Sequence, residues 1–193
     1  AYYDNPAEVE WKDMPFGERQ KKARELLAEA GYGPDKPLEF TLRYNTSENH
    51  KRIAVAVVSM WKAIGVKAEL FNSEVKVHYA DLKQGDFQVA RAGWIADYND
   101  AQNFLYLLET RTGANNYGRY SNPEYDKLMM EAEVTSDLGK RGEMMFKAES
   151  FAMRDQPVIP IYHYVSKALV STKVQGYVDN PQHIHRWRYV SLK

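Results

Sequence analysis

The chain has 193 residues, 44% of them hydrophobic, with 26 Lys plus Arg balanced by 26 Asp plus Glu and no Cys. That apolar content is enough for a buried core, and zero net charge removes the general field that would draw a protein to nucleic acid or an anionic membrane. Without Cys there are no disulfides, thiol nucleophiles or thiolate metal sites, although this does not assign a redox compartment.

No apolar run approaches the ~20 residues that span a bilayer, so the chain is read as not membrane-spanning. It begins "AYYDNPAEVEW", with neither an initiator Met nor a signal region, and reads as a mature or excised piece. Aromatics reach 13%, and Tyr alone contributes 14 residues, as suits either a binding surface or ordinary core and rim positions.

The first predicted element is a helix from Glu18 to Ala30, introduced by Pro15, in which Ala23, Leu26, Leu27 and Ala30 recur at the spacing of one buried face. Gly31, Gly33 and Pro34 end it. In "LEFTLRY", Leu38, Phe40, Leu42 and Tyr44 alternate with Glu39, Thr41 and Arg43, which predicts a strand with one face more buried. Thr46 or Ser47 suits the cap of a second helix, whose apolar positions are Ile53, Val57, Met60 or Trp61, and Ile64, ahead of Gly65. "VKAELF" reads as a second strand, "EVKVHYADLKQG" as a short helix ending at Gly85, and "DFQVARAGW" as a third strand.

A strand–helix–strand–helix–strand order implies parallel strands joined by right-handed crossovers, hence an α/β fold. Ligands of open α/β sheets sit beyond the carboxyl ends of the strands. The loops "NTSENH" and "GWIADYND" are predicted to lie at that edge, which would bring His50 and Asp97 toward one rim.

Farther on, "NPEYDKLMMEAEVT" and "LGKRGEMMFKAESFAMRD" read as two helices, the first capped by Asn122 or Ser121 and the second starting near Asp137. "PVIPIYHYV" is predicted as an edge strand because Pro157 and Pro160 break its donor row, and "RYVSL" as a short last strand.

Catalytic signals are weak. "HIH" would put His183 and His185 on one side of a strand, but no third metal ligand stands close by. There is no Gly-x-Ser-x-Gly, no Cys and no phosphate-cradling glycine loop; Asp97 with Asp100 or Glu109 offers a carboxylate pair of unknown separation. Binding reads better. Asp97, next to Tyr98 and walled by Trp94, suits an ammonium group, its ordinary alternative being an Asx turn or helix cap. Arg91, in an apolar strand, needs a carboxylate, for which Asp86 or Glu69 is the structural alternative. His50 reads either as a second cationic spot or as an ordinary residue in the first turn of a solvent-facing helix. Together these groups suit a zwitterion such as a peptide.

The blocks "YNTSENHKRIAVAVVSMWK", "GDFQVARAGWIADYND", "YSNPEYDKL" and "PVIPIYHYVSKALV" resemble, in order and across essentially the whole chain, the carboxy-terminal portion of the periplasmic oligopeptide-binding proteins of ABC importers. The resemblance implies a class II-type periplasmic-binding-protein-like lobe, a mainly parallel sheet flanked by helices, with residues 1–170 as the peptide-binding lobe and 171–193 as a tail returning toward an amino-terminal lobe. It implies a non-enzymatic solute-binding role without a cofactor, periplasmic or cell-surface-anchored, serving a permease and its ATPase subunits, with a short peptide as ligand and no nucleic acid.

By the same resemblance Asp97 takes the peptide's α-ammonium, Arg91 and His50 its α-carboxylate for different peptide lengths, Trp94 walls side-chain pockets, Tyr98 lies in the same binding block and Tyr164 offers a hydroxyl. The chain departs from the family pattern at Val75, Leu82 and Lys83, which bears on pocket shape and preferred peptide length. A lone lobe cannot enclose a ligand, so weak peptide binding is expected of it. The rival readings are a relative of the same fold taking nickel, haem, a sugar or a murein peptide, a metal-dependent hydrolase using His183 and His185, and an interaction domain without a small ligand.

Overall fold

The computed structural model describes residues 3, 6–180, 182 and 184–193. The chain divides into two compact units: a sheet unit of Glu8–Gly93 and Thr110–Tyr120, and a helical unit of Ala1–Ala7, Trp94–Glu109 and Ser121–Lys193.

The sheet unit contains α1 (Phe16–Glu29), β1 (Glu39–Asn45), α2 (Glu48–Lys62), β2 (Lys67–Ser73), α3 (Val75–Gln84) and β3 (Val89–Ala90). The strand order is β2-β1-β3, and β1 pairs in parallel with both neighbours, with Leu42 opposite Leu70 and Val89. This is the predicted parallel α/β arrangement.

One face of β1 buries Leu42 and Tyr44 against Ala54, Val57, Val58 and Trp61 of α2. Phe40 meets Trp61 edge to face at 5.2 Å. Between the two apolar candidates at that turn of α2 it is Trp61 that packs inward, whereas Met60 is 62% exposed. Ser47 is the residue that caps α2.

The other face of β1 is covered as well, by α3, and here the expected polar face holds a charge network. Arg43 is half-buried, 2.6 Å from Asp81 and 3.5 Å from Asp86, with its guanidinium 4.7 Å from the centre of the Phe71 ring. Gly85 ends α3 at φ +78°, where a Cβ would lie 2.7 Å from Nε of Arg119. That arginine donates to the Gln84 carbonyl at 2.5 Å, so the glycine leaves room for the group that caps the helix.

Two expectations are corrected in this unit. The third strand spans two residues rather than the predicted nine, because the ladder ends once Arg91 N–H has bonded Arg43 O at 2.7 Å, and the Thr41 N–H is taken by the Gln88 side chain at 2.9 Å. The apolar stripe of α1 is only partly covered: Leu26 and Ala30 are exposed, and Ala23 and Leu27 are half-buried. Its Ala, Leu, Glu, Lys and Arg residues are strong helix formers, so local propensity supports this helix although its apolar face is only partly covered.

The helical unit contains α4 (Gln102–Leu105), a 3-10 turn at Tyr106–Leu108, α5 (Pro123–Val134), α6 (Leu138–Asp155), β4 (Val174–Gln175) and β5 (Ser191–Leu192). Asn122 caps α5 by accepting from the N–H groups of Glu124 and Tyr125, and Asp137 caps α6 by accepting from that of Lys140. The two helices bury Tyr125, Met129 and Ala132 with Met145, Ala148 and Ala152. The buried Tyr125 hydroxyl donates to the Leu105 carbonyl at 2.6 Å, tying α5 to the end of α4.

The segment "PVIPIYHYV" forms no strand, and Val158, Ile159, Ile161, Tyr162, Tyr164 and Val165 are exposed. A strand needs a neighbour for its N–H and C=O groups, and no described residue pairs with this segment, in which Pro157 and Pro160 carry no N–H. The short last strand is met at β5, antiparallel to β4. Among the described residues no helix is long and apolar enough to cross a membrane.

Candidate functional site

In the sheet unit the structure brings His50 and Arg91 together at the carboxyl end of β1 and β3. Arg91 immediately follows β3, and its guanidinium nitrogen Nη1 lies 3.5 Å from Oδ1 of the buried Asn45 at the end of β1. Gly93 admits this placement, since a Cβ there would stand 3.2 Å from Nη2 of Arg91. Neither Asp86 nor Glu69 pairs with Arg91: Asp86 goes to Arg43 instead, and no carboxylate of the described residues lies within ion-pair distance of the Arg91 guanidinium.

His50 sits half-buried in the first turn of α2, so its ordinary reading as a solvent-facing residue is only partly met. Burial, then the Arg91 charge, hold its pKa below the usual histidine value, while the Asn45 backbone pulls the other way without closing a hydrogen bond of normal geometry to the buried Nδ1. At neutral pH this ring is uncharged, so Arg91 carries the local positive charge. Such a spot can take a carboxylate.

Beneath it lies His78 of α3, a residue the sequence reading did not single out. It is fully buried, with Nε2 2.9 Å from the Arg91 carbonyl oxygen, so Nε2 carries the proton and donates. Burial leads in lowering its pKa, and the Arg91 and Arg43 charges add to that, against the Arg91 carbonyl and Asp81. A folded-state pKa below the unfolded 6.5 means that the neutral ring's contribution is present above that pH and is lost as pH falls toward the folded value. The urea midpoint should therefore drop between pH 7 and pH 5.5, and His78→Phe should flatten part of that slope; an unchanged slope would contradict the buried neutral ring. Leu82, one of the positions at which the chain departs from the expected pattern, is buried in this unit.

In the helical unit Asp97 is exposed, and its surroundings separate it from the capping role considered for it. The Asx turn belongs to Asp100, whose Oδ1 accepts from Gln102 N–H at 2.9 Å and whose two oxygens receive the Arg141 guanidinium at 2.8 Å each. That guanidinium, ahead of opposing burial, holds the Asp100 carboxyl below the usual carboxylate range.

Asp97 accepts through Oδ2 a 3.4 Å contact from Asn103 Nδ2, its backbone N–H donates to Asn103 Oδ1 at 2.9 Å, and its carbonyl accepts from Gln182 Nε2. Its Oδ1 has no protein partner among the described residues. Burial and then the Asp97 charge raise the pKa of the nearby Tyr106 hydroxyl. Trp94 donates its indole N–H to Asn103 Oδ1 at 3.0 Å and meets the Tyr106 ring edge to face at 6.1 Å. A carboxylate with one unused oxygen beside an indole wall can take an ammonium group.

Tyr98 is exposed and donates to Gln102. Tyr164 is 63% exposed in the unpaired segment, with its ring stacked 6.1 Å from Tyr162. Val75 is exposed at the start of α3. His183 lies outside the described residues, and His185 stacks on Tyr177 at 4.5 Å. Among the described residues no three His, Cys, Asp or Glu gather as a metal site would require. Asn103 escaped the sequence reading because "DAQNF" carries no signal beyond a polar residue in a short helix.

The family model described as "Bacterial extracellular solute-binding proteins, family 5 Middle" matches residues 1–116. The chain is 41% identical over 181 residues to the periplasmic murein peptide-binding protein MppA of Escherichia coli, covering 93% of this chain and 34% of the relative. It is 43% identical over 171 residues to the periplasmic oligopeptide-binding protein OppA of Salmonella typhimurium, covering 88% of this chain and 31% of the relative. The crystal structure of Haemophilus influenzae OppA in complex with RPPGFSPFR superposes with a TM-score of 0.89 at 38% identity, over 97% of this chain and 37% of that one. The chain thus spans about a third of the length of these curated relatives.

Proposed function

The chain belongs to the bacterial extracellular solute-binding proteins of family 5, and from that premise we propose that it is the carboxy-terminal lobe of a binding protein that captures short peptides for an ABC importer. In this reading Asp97 receives the peptide's α-ammonium, Arg91 its α-carboxylate, and His50 assists with the carboxylate for another peptide length. Trp94 and Tyr98 line the side-chain space, and Tyr164 offers its hydroxyl. Residues 1–170 form the lobe, and 171–193 return toward the amino-terminal lobe. The protein works outside the cytoplasmic membrane, in the periplasm or anchored at the cell surface, and hands its ligand to a permease driven by ATPase subunits.

The observation that carries this reading is the Arg91 guanidinium, half-buried beside a neutral histidine and an asparagine with no carboxylate in ion-pair reach among the described residues. A cation removed from water without a counter-charge is unfavourable, and a ligand carboxylate supplies the missing partner. Backbone hydrogen bonds that ignore side-chain identity, with wet pockets around them, suit peptides of varied sequence.

The test is the cargo. The full-length protein, purified without refolding and then denatured, should release short peptides identifiable by mass spectrometry. Stoichiometric haem, nickel or a sugar in their place would support a rival of the same fold and contradict this reading.

A further inference from the structure

Asn103 is 1% exposed, and its side-chain amide makes three hydrogen bonds, all to the segment from Trp94 to Asp97. Oδ1 accepts from the Trp94 indole and from the Asp97 backbone N–H, using both acceptor sites of an amide carbonyl, and Nδ2 reaches Oδ2 of Asp97. The frame that carries this amide is itself held. Asp100 bonds Gln102 N–H at the start of α4 and is clamped by two bonds from Arg141 of α6, while Tyr125 of α5 holds the Leu105 carbonyl at its end.

From this geometry we infer that Asn103 is a positioning residue for capture of the ligand's α-amine. It holds Oδ2 of Asp97, leaving Oδ1 for the amine, and fixes the Trp94 indole in the same frame. The inference rests on the proposed role of Asp97. The chemistry of the amide matters here, because a neutral donor orients a carboxylate without cancelling its charge, whereas a lysine or arginine would compete with the incoming ammonium. An exposed carboxylate otherwise samples several rotamers, and holding one of them before the ligand arrives removes part of the ordering that binding would demand.

The test uses the full-length protein and one tripeptide in two forms, with a free amino terminus and N-acetylated. The readout is the ratio of the two dissociation constants, together with the NMR signal of the Trp94 indole N–H. Asn103→Ala should reduce the preference for the free amine about tenfold, leave the acetylated form within about twofold, and shift the indole signal toward a non-hydrogen-bonded position. Asn103→Thr, whose hydroxyl both accepts and donates, should recover part of the preference, and it carries the test by itself if the alanine variant does not fold.

Asp97→Asn serves as the reference. If it leaves the preference unchanged, the proposed role of Asp97 fails. If Asp97→Asn abolishes the preference while the Asn103 variants keep it, or weaken both peptides equally, the positioning role is overturned and the role of Asp97 stands.

Discussion

In the full-length protein Asp97→Asn should weaken binding of a peptide with a free amino terminus by about 2–5 kcal/mol, roughly thirtyfold to several thousandfold. The same peptide N-acetylated should lose little. The substitution keeps the size of the side chain and the backbone N–H bond to Asn103 at 2.9 Å, so it removes charge with minimal change of shape. Much of the loss comes from stranding an ammonium that is desolvated in the complex rather than from a missing attraction. Calorimetry with the two peptides separates this from a general loss of folding, which would lower both affinities together.

Arg91→Gln should act at the other end of the ligand. A peptide with a free carboxyl terminus should lose affinity by a comparable amount, about 2–5 kcal/mol, while its amide should be little affected. His50 gives this variant a pH signature. In the parent protein burial and the Arg91 charge keep the imidazole neutral near pH 7. Removing Arg91 lifts the second of these, so the pKa of His50 should rise, and lowering the pH through it should protonate the ring. The preference for the free carboxylate over the amide should then recover partly as pH falls from 7.5 to 5.5. Loss of that recovery in the Arg91→Gln, His50→Asn double variant would assign it to His50; its persistence would rule His50 out.

The parallel β1–α2–β2–α3 core was readable because each element repeats its apolar residues at its own period. Leu42 and Tyr44 lie on one side of a strand, and Val57 and Trp61 on one side of a helix. Caps were readable for a related reason, since Ser47, Asn122 and Asp137 act on backbone groups two or three residues away.

What escaped depends on partners distant in sequence. The ion pair expected between Arg91 and Asp86 does not form because Arg43, 43 residues from Asp86 along the chain, holds that carboxylate from the opposite side of the sheet together with Asp81. Alternation marked Arg43 as a solvent-side residue, and only the placement of α3 over that face turns it inward. The apolar composition of 157–165 predicts a strand that does not form, because a strand exists only with a neighbour to bond it, and no described residue provides one.

At the proposed site, residue type points to Asp97 and Arg91, while the groups that bond to them carry no local signature. Asn103 bonds Asp97 from a four-residue helix, and His78 bonds the Arg91 carbonyl from α3. A buried asparagine and a buried histidine look like surface residues in the sequence, because their meaning lies in which atoms they reach.

The most direct measurement is a set of four calorimetric titrations of the full-length protein with one tripeptide: both termini free, amino terminus acetylated, carboxyl terminus amidated, and both blocked. Each block should weaken binding separately, with acetylation ceasing to matter in Asp97→Asn and amidation ceasing to matter in Arg91→Gln. Equal affinity for all four peptides in the unmodified protein would contradict recognition by the termini and remove both residues from the binding site.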